Sequence, residues 1–143
     1  MTASTAKPKA IPMSIFKPMT VNNTYYKREK EYDEAGNIII ERYYDADGER
    51  MLCKEGYDEI HRTYDEEKRP VRLEYYTNGK PANLTQGYAI VQREYDGNGF
   101  VAAESYYGTD GKPVLCGSGY HKIVRTWADK DRPSSEAWFD TEG

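Results

Sequence analysis

Aliphatic residues are scarce in this chain. Leu, Ile, Val and Phe together make up 21 of 143 residues, a share at which composition alone points towards disorder. No run approaches the roughly 20 consecutive apolar residues that span a bilayer, so no membrane-spanning helix is expected. A basic surplus is also missing. With 20 Lys and Arg against 24 Asp and Glu, the chain lacks the positive field that nucleic-acid binding requires, and no nucleic-acid partner is expected. Two cysteines and two histidines, with no CxxC pair and no Cys/His cluster, give no metal-ligand spacing, and no cofactor is expected. GxSxG, HExxH and phosphate-binding glycine loops are absent as well. The first twenty residues lack the continuous apolar core of a secretory signal peptide.

Tyrosine is what the chain has in place of aliphatics: 14 Tyr and 2 Trp, set at fixed intervals. A first aromatic stands at Tyr25, Tyr57, Tyr88 and Tyr120, and a second follows seven residues later at Tyr32, Tyr64, Tyr95 and Trp127. The pairs Tyr43-Tyr44, Tyr75-Tyr76, Tyr106-Tyr107 and Trp138-Phe139 come next, then a glycine at Gly48, Gly79, Gly111 and Gly143. The period is 32, 31 and 32 residues, the length of one supersecondary unit in a stacked array. Large rings at such intervals can build a thin core where aliphatics cannot.

Each period reads as two strands. The first runs from one aromatic to the next, as in Tyr57 to Tyr64, Tyr88 to Tyr95 and Tyr120 to Trp127. The second covers Ile38 to Tyr44, Val71 to Tyr76 and Phe100 to Tyr107, rich in β-branched and aromatic residues. Between them lies Gly/Asn/Asp turn chemistry at Asp33 to Asn37 and Asp96 to Gly99, replaced by Lys68-Arg69-Pro70 and Asp131-Arg132-Pro133 in the other two units. No segment sustains helical spacing. The expected fold is therefore all-β: tandem β-hairpin repeats forming an elongated solenoid. Residues 1–22, with Pro8, Pro12 and Pro18, form a lead-in or cap in which Ile15 and Phe16 cover the open end. Residues 23–143 form the array, divided at about 23–55, 56–86, 87–118 and a truncated 119–143, so the array is expected to continue further.

Leu52, Leu84 and Leu115 share a slot nine residues after the first member of each pair and are predicted to be core. Cys53 and Cys116, one position later, read as small buried residues two units apart, too distant for a disulfide. The Asp45-x-Asp47-Gly segment has neither the further ligands nor the helices of a calcium loop and reads as a turn. Glu41, Glu104 and Glu136 share one slot, which gives them like surroundings rather than the divergent ones a catalytic acid and base need. His61 and His121 do not share a slot and are read as ordinary surface residues. Arg62, Arg93 and Arg125 stand two residues before Tyr64, Tyr95 and Trp127. Structurally they would stack on those rings and pair with Asp33, Asp65 or Asp96; functionally, rings and guanidinium groups along a groove suit the apolar faces and hydroxyl rims of sugars.

The segments RYYDADGERMLCKEGY, Arg42 to Tyr57, and SYYGTDGKPVLCGSGY, Ser105 to Tyr120, resemble the aromatic-glycine repeats of choline-binding, glucan-binding and clostridial toxin cell-binding modules. The segment REYDGNGFVAAESYY, Arg93 to Tyr107, is similar to the Tyr-Asp repeats of Rhs-type surface and toxin proteins. Tyr follows the glycine here where the choline-binding set has Trp, so neither a ligand nor individual binding residues carry over. The resemblance implies a non-enzymatic repeat module that binds a polysaccharide or cell-wall polymer, as part of a larger secreted or bacterial surface protein. The alternative is a protein-interaction or spacer array in which the rings only hold the stack. The candidate ligand-binding residues are Tyr43, Tyr44, Tyr75, Tyr76, Tyr106, Tyr107 and Trp138, with Arg62, Arg93 and Arg125. One member of each pair is expected to be core and the other outward, because neighbours in a strand face opposite ways.

Overall fold

The computed structural model describes residues 26–143; Tyr25 and the cap expected from Ile15 and Phe16 lie outside the described residues. These contain no helix and nine strands, β1 (Lys27–Tyr32), β2 (Ile38–Tyr44), β3 (Glu59–Tyr64), β4 (Pro70–Thr77), β5 (Lys80–Pro81), β6 (Ile90–Tyr95), β7 (Val101–Tyr107), β8 (Lys122–Asp129) and β9 (Arg132–Phe139). All pair antiparallel in one sheet of order β1-β2-β3-β4-β6-β7-β8-β9, with the two-residue β5 beside β4. The strands lie edge to edge in an open sheet bounded by β1 and β9, so the sheet does not close into a coil. Each strand touches only its neighbours in that order.

Four hairpins, β1-β2, β3-β4, β6-β7 and β8-β9, use one local design. In the first three, an aspartate at the end of the first strand caps the turn: Asp33, Asp65 and Asp96 each accept, on Oδ1, backbone N–H groups two and four residues on. The turn needs a left-handed residue three positions after that aspartate. Glycine supplies it at Gly36 and Gly99, whereas Lys68 adopts it at φ 65°, at a steric cost that glycine avoids. The aspartates predicted to pair with the arginine row are thus consumed as turn caps.

A register shift follows in every hairpin: Tyr32 sits opposite Ile38, Tyr64 opposite Pro70 and Tyr95 opposite Val101, so the pairing skips Ile39, Val71 and Ala102. Such a bulge re-aims the adjoining side chain. Tyr64 donates its hydroxyl to the Ile38 carbonyl at 2.7 Å, Tyr95 to Pro70 at 2.6 Å, and the Trp127 indole N–H to Val101 at 2.8 Å. Each ring thereby crosses onto the preceding hairpin and fixes how far along the two may slide.

The leucine row is corrected by the structure. Leu84 is buried at 7% exposure, whereas Leu52 and Leu115 are 52% and 48% exposed. The backbone explains the difference. Cys53, Leu84 and Cys116 each donate N–H to the carbonyl four residues on, at Tyr57, Tyr88 and Tyr120, so those three residues correspond. The residue missing from the 31-residue period is lost at the tight Asn78-Gly79 turn between β4 and β5, where Asn78 takes φ 52°. Leu52 and Leu115 correspond instead to Asn83. Leu84→Ala is expected to lower the unfolding free energy by about 2 to 4 kcal/mol, and Leu115→Ala by about 0.5 kcal/mol or less, measured by urea denaturation.

Candidate functional site

The sheet has two faces of different chemistry, and the expected site residues divide between them. On one face a tight turn in each long connection carries a ring back over the sheet. Gly56, Gly87 and Gly119, at φ between 92° and 101°, close these turns on Cys53, Leu84 and Cys116, a conformation that residues with a side chain rarely adopt. Of the residues that follow, Tyr57 and Tyr88 insert their rings between those of Tyr43, Tyr75 and Tyr106, and Tyr120 packs beyond Tyr106. The result is an unbroken row. Centroid separations are 5.9 Å for Tyr43–Tyr57, 4.9 Å for Tyr57–Tyr75, 6.5 Å for Tyr75–Tyr88, 4.7 Å for Tyr88–Tyr106 and 6.0 Å for Tyr106–Tyr120, all tilted or edge-on. Ile60, Leu73 and Val91 pack beneath this row with Tyr106 to form the core. Burial raises the phenol pKa of all six tyrosines, that of Tyr75 to about 12.

Beside the tyrosine row, on the same face, runs a row of ion pairs. Arg93 Nε binds Glu104 at 2.7 Å and Arg125 Nε binds Glu136 at 2.8 Å, directly across the strand pair. Arg62 faces Leu73 instead and reaches sideways to Glu41 at 2.7 Å; Glu41 also receives Arg28 at 3.4 Å. The arginines thus pair with the glutamate slot and not with Asp33, Asp65 or Asp96. The guanidinium over the Tyr95 ring is that of Arg69, whose Cζ lies 4.6 Å from the ring centroid, with Asp65 at 2.8 Å from its Nε.

The opposite face carries Tyr44, Tyr76 and Tyr107. Tyr44 donates its hydroxyl to Glu29 at 3.0 Å, and Lys27 and Arg50 approach its ring. Tyr76 stacks on His61 at 4.2 Å, and Tyr107 meets His121 edge-on at 5.2 Å. His121 Nδ1 is 2.8 Å from the Tyr106 carbonyl. The histidines, read from sequence as ordinary surface residues, are therefore partners of the outward rings. Of the expected aromatic set, Trp138 on the edge strand is the most open, at 57% exposure.

A charge network that sequence reasoning missed occupies this second face around β2 and β3. Arg42 binds Glu31 at 2.6 Å, Glu29 at 3.3 Å and Glu59 at 3.3 Å; Arg50 binds Glu59 and Asp58, both at 2.9 Å. Asp58 is fully buried and also accepts the Asn78 N–H at 3.1 Å. Burial alone would raise the Glu59 pKa, but His61, Arg50 and Arg42 outweigh it and hold the carboxyl below its usual value. A signal for this network was present. Arg50 pairs with Tyr44 where Pro81 pairs with Tyr76 and Pro113 with Tyr107, so two prolines mark Arg50 as the departure from the period.

Hollows accompany these faces. An open groove of about 670 Å³ runs past Asp33, Asn37, His61, Tyr64 and Glu74. A smaller one of about 240 Å³ lies between Tyr76, Ile90 and Asp110. Among the described residues no three His, Cys, Asp or Glu side chains converge as a metal site, and no helix is long and apolar enough to cross a membrane. Comparison of the chain with protein-family models, curated proteins and solved structures finds no match.

Two pH responses follow. A phenol whose folded pKa is raised keeps its contribution below the unfolded value of about 10 and loses it as pH rises further. Spectrophotometric titration is therefore expected to show the six ladder tyrosines ionising only together with loss of the β-sheet dichroism. Glu59, with a depressed folded pKa, contributes above the unfolded value of about 4.3 and loses that contribution as pH falls below it. Stability measured across this acid range is expected to fall less steeply in Glu59→Gln than in the parent chain.

Proposed function

We propose that this chain is a non-catalytic structural and protein-interaction array, built of tandem β-hairpin repeats joined edge to edge into an elongated, solenoid-like body, within a larger secreted or surface protein of the Rhs-like kind. The observation that carries this reading is the unbroken row from Tyr43 to Tyr120. It engages Tyr43, Tyr75 and Tyr106, the first members of three of the four aromatic pairs. Arg62, Arg93 and Arg125 are held in ion pairs with glutamate. A side chain that holds the sheet together is not free to turn towards a sugar.

A second reading, a module binding a polysaccharide or cell-wall polymer, draws on the 240 Å³ hollow beside Tyr76. There a sugar would find one ring face, the Asp110 carboxylate and the apolar edge of Ile90. The two readings separate on paired measurements. Under the array reading, Tyr88→Ala, which removes a half-buried ring of the row, costs about 2 to 3 kcal/mol of stability, and the parent chain shows no saturable oligosaccharide binding by calorimetry at millimolar concentration. Saturable binding that Tyr76→Ala abolishes, with the melting temperature unchanged, establishes the glycan reading in its place.

A further inference from the structure

The three joints between hairpins are alike in backbone and filled differently by side chains. Asp58, Ala89 and His121 hold one position in them: each donates its N–H to a carbonyl, of Tyr76, Tyr107 and Phe139 in turn, and accepts the N–H of Tyr43, Tyr75 and Tyr106. Arg50, Pro81 and Pro113 hold a second position, paired with Tyr44, Tyr76 and Tyr107. Glu59 and Ile90 hold a third, opposite Tyr76 and Tyr107.

In the first joint these positions close on one another. The Arg50 guanidinium lies 5.6 Å from the Tyr44 ring centroid and binds Asp58 and Glu59, both at 2.9 Å. In the third, His121 meets the Tyr107 ring at 5.2 Å. The middle joint carries Pro81, Ala89 and Ile90 instead, which offer no such ion pair, and a hollow of about 240 Å³ remains. Its rim keeps half of the first joint's chemistry. The Tyr76 ring lines it together with Glu74 and Asp110, and no lysine or arginine lines it among the described residues. Arg72 holds Oε2 of Glu74 at 3.2 Å, and the Lys112 N–H reaches Oδ1 of Asp110 at 2.9 Å, so each carboxylate keeps a second oxygen for another donor. The missing piece is the cation.

We propose that this hollow receives an arginine side chain of a partner protein, whose guanidinium takes the place that Arg50 fills in the first joint, over the Tyr76 ring and against Glu74 and Asp110. Size selects a single side chain. Small-molecule sites span about 300 to 1,000 Å³, and this hollow falls below that range. Shape selects arginine, because a planar guanidinium lies on a ring while forking to a carboxylate, whereas the ammonium of lysine acts as a point charge. Glu74 also lines the groove of about 670 Å³, so the chain that carries the arginine has a path onward across the sheet. The proposal rests on the array reading and names the chemistry of its partner.

The test titrates the isotope-labelled full chain with a Gly/Ser peptide carrying one arginine, followed by NMR at the Ala89 and Ile90 amides. Saturable shifts are expected at millimolar peptide, with weaker binding of the corresponding lysine peptide and none of the peptide carrying citrulline, the uncharged analogue of arginine. Asp110→Asn, which keeps a side-chain oxygen for the Lys112 N–H, is expected to weaken binding about fivefold, the upper end for an ion pair near the surface. Pro81→Arg gives the chain its own occupant at the Arg50 position and is expected to abolish binding without lowering the melting temperature. Citrulline or lysine peptides that bind as tightly as the arginine peptide overturn the proposal. So does the absence of shifts at about 10 mM peptide, whether the hollow stays shut or another segment of the chain fills it. Neither result touches the array reading, which is decided separately by oligosaccharide binding and by the stability of Tyr88→Ala.

Discussion

The described residues form a single sheet, with two faces and no second layer among them to cover either. That constraint explains most of this molecule. An isolated hairpin is marginal in water, and added strands help only when a face is buried. Here the long connections do the covering, each returning one tyrosine to the surface of the sheet. Tyrosine suits the task better than leucine would, since its ring buries a large area while its hydroxyl can remain wet. A core of Ile60, Leu73, Val91 and Tyr106 is small, and the half-buried rings above it extend it along the sheet.

Registry is held by polar contacts spread along both faces. The bulge rings reach back to Ile38, Pro70 and Val101, the arginines lock onto glutamates on one face, and Arg42 and Arg50 tie Glu31, Glu59 and Asp58 on the other. A strand that slipped by one residue would exchange these faces. It would also strand Asp58 without Arg50. Removing one partner of a buried pair costs about 3 to 5 kcal/mol, far more than the intact pair contributes. The network therefore acts more on which register forms than on how stable it is.

The sequence made the strands legible because aromatic and β-branched runs are separated by Asp, Asn and Gly at nearly constant spacing. Alternation also implied that the two rings of a pair face opposite ways, but which of them lies on the core side is told only by contacts such as Tyr75 to Tyr88. Three things were hidden. The place where the short period loses its residue depends on the Asn78-Gly79 turn, so a gapless count put Leu52 and Leu115 into the core beside Leu84. Asp33, Asp65 and Asp96 lie near the arginines in sequence, yet backbone N–H groups claim them first. The interleaving of Tyr57 between Tyr43 and Tyr75 joins residues from different hairpins, which spacing along the chain does not reveal.

The hairpins succeed one another across the strands, so the line from β1 to β9 runs along the inter-strand hydrogen bonds. Tension applied between the two ends of the described segment would load those bonds in line, in series, rather than shear a whole ladder at once. Strands would peel from an edge, each release setting free only one hairpin and the pair of tyrosine contacts that seats it. Mechanically the molecule is a zipper: it yields at modest force in steps of one hairpin and can re-form in the same order, from the remaining sheet outward.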